Sequence, residues 1–405
     1  MIYLRRDIEK AFLQASREYA VVLVTGAPHV GKTTMLKALA GADRSYVTFD
    51  DLFERDLAQR DPAGFLQRYR PPVLIDEVQY APQLFAYIKQ AVDKGATPGS
   101  FWLAASQTLS SIDALKSMAG RVAVLRMSSL SQREIDGHDD DADFCLTLDA
   151  WQRRAQNRQP KTLSAIFSCI WRGALPHALN PTTDRDDFYS TYVSDLITRC
   201  VTALLPGIDP CRFLRFMIAA ASRTAQTLNL KAMARVAEMD EETAKVWLKA
   251  LKALGIVFFV DALRHPLLKR TVKKPKLYFE DTGLVAYLTR YPTPEILEVG
   301  ALNCAVYENF VVTEIMKNIR NRGLNFEFYY WRDFDGKTVD LILEVDGQLF
   351  PIVIRKTDKP KLFDVRHFSV LKKAPLSVGS GAVICMSPTV GALNTETLVI
   401  PTWAL

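Results

Sequence analysis

Between an apolar run at 20–25 and a following segment of helical pattern, the chain reads Gly26, Ala27, Pro28, His29, Val30, Gly31, Lys32, Thr33, Thr34. This fits GxxxxGK[ST], and the spacing has a physical cause. Glycines at positions 26 and 31 let the backbone turn so that consecutive N–H groups converge on one point, which attracts a phosphate. Lys32 then supplies a point charge to the outer phosphates of a nucleotide, and the Thr33 hydroxyl ligates Mg2+. The loop needs a strand before it and a helix N-terminus after it. No all-helical or all-β chain provides that context, so the motif commits this half of the sequence to an α/β fold.

Short apolar runs alternate with longer mixed segments from residue 19 onward. The pattern predicts strands at 20–25, 45–49, 73–75, 101–104 and 122–127 in a mainly parallel sheet. The third run leads into Asp76 and Glu77, which at the carboxyl end of a buried strand both face the phosphates. Asp76 is read as holding Mg2+ through water, and Glu77 as the general base that polarises the attacking water. A built-in glutamate points to hydrolysis rather than to phosphoryl transfer onto a second substrate. The fourth run ends near Ser106 and Gln107, which either orient the same water or form an ordinary strand-end turn. Arg121, ahead of the fifth strand, is read either as a finger for a neighbouring subunit's nucleotide or as one half of a surface salt bridge. ATP with Mg2+ is the expected ligand pair, and a homo-oligomer is the arrangement that Arg121 would serve.

At 405 residues the chain has room for two to four domains. Its apolar stretches, such as 20–24 and 216–221, fall far short of the ~18–20 residues that span a bilayer. The first ten residues alternate charge with apolar side chains and lack the apolar core of a secretory signal, so a cytoplasmic protein with no membrane partner is expected. Six cysteines and five histidines form no CxxC pair, which indicates neither a zinc site nor a disulfide framework. The formal net charge of +6, from 51 basic and 45 acidic residues, permits contact with nucleic acid without arguing for it.

The acidic segment 136–143 lacks the glycine and terminal glutamate of a calcium loop and reads as a solvated linker. Trp151-Gln-Arg-Arg reads as a helix start on the surface. Residues 163–205 are helical in pattern, interrupted where Gly173 and Pro176 break it. From 228 to 255 there follow a helix, a turn at Met239-Asp240 and a second helix ending on Gly255. Strands at 256–260 and 276–279 flank a basic loop, 264–276, and the whole describes a winged helix. Its second helix carries Lys245, Lys249 and Lys252 on roughly one face, so helix and loop are candidate contacts for DNA phosphates, with solvated charge or domain packing as the other uses. Beyond residue 307 come a helix with Glu308 and Glu314 and strands at 327–331, 338–345 and 348–355. Asp346-Gly347 is a strong hairpin signal between the last two.

These residues resemble a known family, the bacterial and archaeal AAA-type P-loop ATPases fused to a winged helix and a C-terminal domain similar to restriction-endonuclease cores. The resemblance rests on Tyr3-Leu-Arg-Arg-Asp-Ile, the phosphate loop, Ile75-Asp-Glu-Val-Gln, Ala105-Ser-Gln, Ala119-Gly-Arg-Val, Lys276-Leu-Tyr-Phe-Glu-Asp-Thr-Gly-Leu284, Glu308-Asn-Phe-Val and Val339-Asp340. It implies an α/β fold class with an AAA-type core and parallel sheet at 1–135, a linker and helical lid at 136–220, a winged helix at 221–290 and a nuclease-like α/β domain at 291–405. Two departures stand out. Cys200 follows Arg199 where the family usually has aspartate. In the last domain Asp340 and Glu308 are present, but Val353 and Arg355 fall where a nuclease needs glutamate and lysine, and valine binds no metal. Glu344, two steps of period two beyond Asp340, is expected on the same face as a substitute. The favoured reading is an ATP-hydrolysing switch or motor subunit with an inactive nuclease-like domain. Its alternatives are an ATP-dependent DNA-processing nuclease and a scaffold that binds ATP without turnover.

Overall fold

The computed structural model describes residues 3–106, 118–137, 146–156, 158–265, 267–268, 271–324, 326–373 and 376–405. In the first half, β1 (Val21–Thr25), β2 (Ser45–Thr48), β3 (Val73–Asp76), β4 (Phe101–Ala105) and β5 (Val122–Arg126) form a five-stranded parallel sheet in the order β2-β3-β4-β1-β5. Helices α1 (Ile8–Glu18), α2 (Lys32–Leu39), α3 (Leu52–Arg60), α4 (Pro62–Arg68) and α5 (Leu84–Asp93) belong to this half. Strand alternation sorts the core. Val22, Val24, Leu74 and Trp102 join Phe12, Met35 and Leu36 on one face, while Val21, Leu23, Ile75 and Leu103 join Phe65, Phe85 and Ile88 on the other. Each such buried side chain contributes about 1.5–3 kcal/mol, and together they fix the register that brings the carboxyl ends of β1, β3 and β4 to one rim.

The middle of the chain is helical, with α6 (Gln132–Ile135), α7 (Leu148–Gln156), α8 (Leu163–Arg172), α9 (Arg185–Asp195), α10 (Thr202–Leu204) and α11 (Pro210–Ala221). A π-helical turn, Leu196–Val201, separates α9 from α10. Trp151 and Arg154 of α7 are 1% exposed, which corrects the surface placement expected for them. Arg154 Nη2 donates to Asn318 Oδ1 at 2.8 Å, so the guanidinium found an internal acceptor and the indole a core. Most of the acidic segment, from 138 to 143, lies outside the described residues.

Next come β6 (Gln226–Thr227), α12 (Leu230–Val236), α13 (Glu241–Ala253), β7 (Val257–Ala262) and β8 (Lys276–Phe279), with Asn229 and Asp240 capping the two helices. The chain continues through α14 (Thr282–Leu288), α15 (Pro294–Val299) and α16 (Asn303–Arg320) into β9 (Glu327–Arg332), β10 (Thr338–Val345), β11 (Gln348–Ile354), β12 (Ser377–Val378), β13 (Gly381–Cys385), β14 (Gly391–Asn394) and β15 (Thr397–Pro401). Asp346 and Gly347 both take positive φ between β10 and β11, the conformation of a tight two-residue hairpin. Strands on both sides of the 290/291 boundary share one sheet. β7 runs parallel to β9 through Asp261↔Tyr329 and Ala262↔Tyr330, which joins the β6–β8 strands to β9–β15. Described residues at both ends of the basic loop are docked on this sheet: Leu263 N, just before it, donates to Tyr330 O at 2.8 Å, Val272 N donates to Arg332 O at 2.9 Å, and Leu263 and Leu268 are buried with Trp331 and Val339.

Candidate functional site

The loop after β1 enters α2 through two residues of positive φ, His29 at 63° and Gly31 at 98°. Glycine is required at 26 for a different reason. A Cβ there would lie 2.2 Å from the Met127 carbonyl oxygen, so any side chain would push the loop off the end of β5. Pro28, His29, Gly31, Lys32, Thr33 and Thr34 line a cavity of about 750 Å³, whereas Ala27 and Val30 turn the other way, toward Gly255, Ile256 and Asp281. Lys32 is 4% exposed, and its Nζ donates to Gly26 O at 3.0 Å and Ala27 O at 2.9 Å. Burial pulls this ammonium below its ordinary pKa, against the opposing pull of Glu77 and Asp76. It sits inside a ring of its own loop's carbonyls and is free to be taken over by an anion in the cavity.

Thr33 Oγ1 donates to Asp76 Oδ2 at 2.6 Å, so the two expected metal-binding groups already touch. Glu77 follows in the left-handed region at φ 54°, which turns its side chain out of the strand direction and into the cavity. Ser106 Oγ donates to Glu77 Oε1 at 2.7 Å, and Gln79 Nε2 donates to Glu77 Oε2. The carboxylate is thereby held at both oxygens. The structure brings Ser106 to the site; Gln107 lies outside the described residues.

The opposite wall comes from the helical segment after Gly173: Pro176, His177, Phe188, Tyr192, Asp195, Arg199 and Cys200. The His29 ring meets Tyr192 edge-on at 5.4 Å, and His177 packs on Phe188 at 5.5 Å. The π-helical turn puts Arg199 and Cys200 in the cavity wall, and Arg199 Nη2 pairs with Asp50 Oδ1 at 2.8 Å. Burial, reinforced by Glu77, pushes the Cys200 thiol up to about 11. Residue-by-residue motif reading missed Gln79, Arg199 and Asp50 as site residues. Only proximity to the Asp-Glu pair marks Gln79 in the sequence, and the π turn that aims Arg199 leaves no trace in helical periodicity.

Arg121 is not brought to this cavity. It precedes β5, at the end of the sheet away from the loop, and its Nε pairs with Asp93 Oδ1 at 2.6 Å on the surface.

A second group of charges lies under α16. Lys276 Nζ and the Tyr278 hydroxyl each donate to Glu308 Oε1 at 2.7 Å. Asp340 Oδ2 accepts from Arg355 Nη1 at 2.8 Å and from Ile354 N at 2.9 Å. Burial pulls the Lys276 ammonium down, but Glu308 and Asp340 outweigh it and hold it above its ordinary pKa. Lys276 was counted with the basic loop; it is buried and faces inward. Glu344 is corrected as well. An extra residue in β10 between Val339 and Ile342 shifts its register against β9, so that Ile342 and its pair Tyr329 share a cluster with Val339, and Glu344, paired with Glu327, follows Ile342 rather than Asp340. Val353 is 1% exposed and sits opposite Val383 in the parallel register of β11 and β13.

Residues 18–136 match the family described as "AAA domain", residues 164–295 that described as "Domain of unknown function (DUF8612)", and residues 304–405 that described as "Domain of unknown function (DUF4143)". Uncharacterized proteins of Mycobacterium bovis and Mycobacterium tuberculosis are each 26% identical over 367 residues, which cover 89% of this chain and 76% of theirs. Among solved structures, the Walker-type ATPase of Pyrococcus abyssi aligns at a TM-score of 0.46 and 12% identity over 71% of this chain and 96% of its own. A RuvB of Thermotoga maritima aligns at 0.31 and 17% identity over 64% and 89%. The AAA match spans the parallel sheet, the phosphate loop and the Asp76-Glu77 pair, so this part of the chain is similar to an AAA domain. No helix among the described residues is long and apolar enough to cross a membrane.

Proposed function

We propose that the chain is an ATP-binding and ATP-hydrolysing subunit of the AAA type, acting as a switch or motor, and that its C-terminal unit has a nuclease-like arrangement without nuclease chemistry. The observation that carries the first part is the Glu77 carboxylate, fixed by Ser106 and Gln79 across the cavity floor from the loop that receives phosphates. ATP fits the donor set: converging loop amides, the Lys32 ammonium on the outer phosphates, and Arg199 on the facing wall. Mg2+ would be held by Thr33 and by Asp76 through water, and when bound it neutralises charge on the phosphate oxygens. Glu77 takes the proton of the attacking water, while Ser106 and Gln79 keep the carboxylate aimed at that water rather than at Lys32. Arg121 keeps both of its readings, a finger for the nucleotide of a neighbouring copy or only the surface pair with Asp93, and the first makes a prediction about turnover. Turnover per subunit is then expected to rise with protein concentration and to fall in Arg121→Ala.

For the second part the support is ligand count. Asp340 and Glu308 each already hold a cation of this chain, Val353 offers no oxygen, and the Arg355 guanidinium, a donor without an acceptor, serves as no base. The proposal includes no DNA substrate. The lysines at 245, 249 and 252 are exposed on α13, but Leu268 and Val272 of the loop expected to act with them are tied to the C-terminal sheet. Steady-state ATP hydrolysis with and without Mg2+, in wild type and in Ser106→Ala with Gln79→Ala, tests the assignment. Turnover should need Mg2+ and drop in the double variant, and equal rates would refute the role given to Glu77's holders.

A further inference from the structure

Arg6 lies outside the AAA match and touches no part of the cavity, yet its guanidinium grips the phosphate loop from behind. It is 4% exposed and spends its fork on three elements. Nη1 donates to Val30 O at 2.9 Å, Nη2 to Ser128 O at 2.8 Å, and Nε to Glu134 Oε1 at 3.1 Å. The first contact matters most for the site. Val30 C=O and Gly31 N–H belong to one planar trans peptide and point in opposite directions, so a donor that holds the carbonyl outward aims the amide inward, at the phosphates. Arg6 therefore sets the direction of one anion-binding N–H.

The other end of the fork leads to α16. Glu134 accepts from Asp7 N at 2.8 Å and from Ser131 N at 2.7 Å, closing a capping box on α6. The same turn is gripped from the far side. Gln132 N donates to Glu314 Oε2 at 2.8 Å, and Lys317 Nζ donates to Leu130 O at 2.8 Å and to Glu314 Oε1 at 2.9 Å. Side chains of Arg6, Glu134, Glu314 and Lys317 are all 4% exposed or less. Buried ion pairs of this kind tolerate displacement poorly, because any partner that moves leaves a charge unpaired away from water.

We infer that Arg6 is a positioning residue for the phosphate loop and that the turn at 128–134, held between Arg6 and α16, couples the nucleotide cavity to the C-terminal unit. The inference rests on the reading of the cavity as a nucleotide site. Coupling of this sort is reciprocal. Nucleotide binding stiffens the grip on α16, and loss of the grip on α16 weakens nucleotide binding.

The test uses the full chain and ATPγS with Mg2+. Arg6→Lys keeps the charge but reaches only one of the three acceptors, so its affinity for ATPγS should fall about tenfold, with a larger change in KM for ATP than in kcat. The double variant Glu314→Gln, Lys317→Met replaces a buried ion pair by neutral groups of similar volume and lines no part of the cavity. Its affinity should fall about fivefold, the lower end of ordinary coupling between sites. In wild type, ATPγS should slow backbone hydrogen exchange in α16, and this readout stands even where the double variant fails to fold. A double variant that melts like wild type and binds ATPγS with wild-type affinity would overturn the coupling, as would exchange in α16 that ignores the nucleotide. Wild type that binds no ATPγS would instead defeat the nucleotide reading itself, a distinct result.

Discussion

The phosphate loop and the charged group under α16 both set acids beside cations, Asp76 and Glu77 beside Lys32 in the first and Glu308 and Asp340 beside Lys276 and Arg355 in the second, and the two groups are held in opposite ways. Asp76 and Glu77 are held by hydroxyls, an amide and the backbone, and Lys32 by backbone carbonyls. Their charges are thus positioned by neutral partners, and Glu77 and Lys32 stay available to a ligand in an open cavity of about 750 Å³. Glu308 and Asp340 are held by Lys276 and Arg355, each acid by a full opposite charge. What separates a binding site from a structural lock is therefore the identity of the groups that orient the charges, since neutral donors aim a carboxylate without satisfying its charge whereas cations do both.

The contrast is broken most severely at the lock. Lys276→Met leaves the partly buried Glu308 carboxylate without its cation and is expected to cost up to about 3 kcal/mol of stability, the lower end for a broken buried pair, read as a lowered midpoint in urea. Lys276→Met combined with Glu308→Gln should recover most of that loss, because no buried charge is left alone. If the single variant were as stable as wild type, the pair would not be a lock. At the cavity the matching change, Lys32→Ala, should leave stability within about 1 kcal/mol, since the ammonium has only backbone partners, and weaken ATP binding ~10²-fold. Calorimetry with ATP measures it. The mildest probe is the wall thiol. Because burial and Glu77 push Cys200 up to about 11, the thiolate is scarce at neutral pH and gains population only as pH approaches that value. Carbamidomethylation of the Cys200 peptide should thus lag that of the exposed Cys211 at pH 7.5 and catch up as pH rises.

Legibility in the sequence follows the same division. The parallel sheet and the phosphate loop were readable because each rests on local pattern: apolar runs of strand length, glycines at fixed offsets, acids at a strand end. Ser106 was readable for the same reason, as the residue just past β4. What escaped depended on contacts between distant segments. Lys276 looked like one more cation of a basic loop, and its burial goes with its pairing to Glu308 of α16. Trp151 and Arg154 looked like surface because what buries them is far along the chain, as with Asn318, the acceptor of Arg154. Glu344 was placed by strand period, which holds only until the extra residue in β10 shifts it. Arg199 needed the π turn, and Arg6 needed the loop carbonyl it holds.

The central claim is that one of these two charged groups performs chemistry and the other does not. It is tested by giving the same preparation radiolabelled ATP and plasmid DNA with Mg2+, in wild type, Glu77→Gln and Asp340→Ala. Wild type should release phosphate and leave the DNA uncut, Glu77→Gln should retain ATP while release falls by ~10²-fold or more, as for loss of a general base, and Asp340→Ala should cut no DNA either. Phosphate release in Glu77→Gln equal to wild type, or DNA cleavage that disappears in Asp340→Ala, would contradict the account.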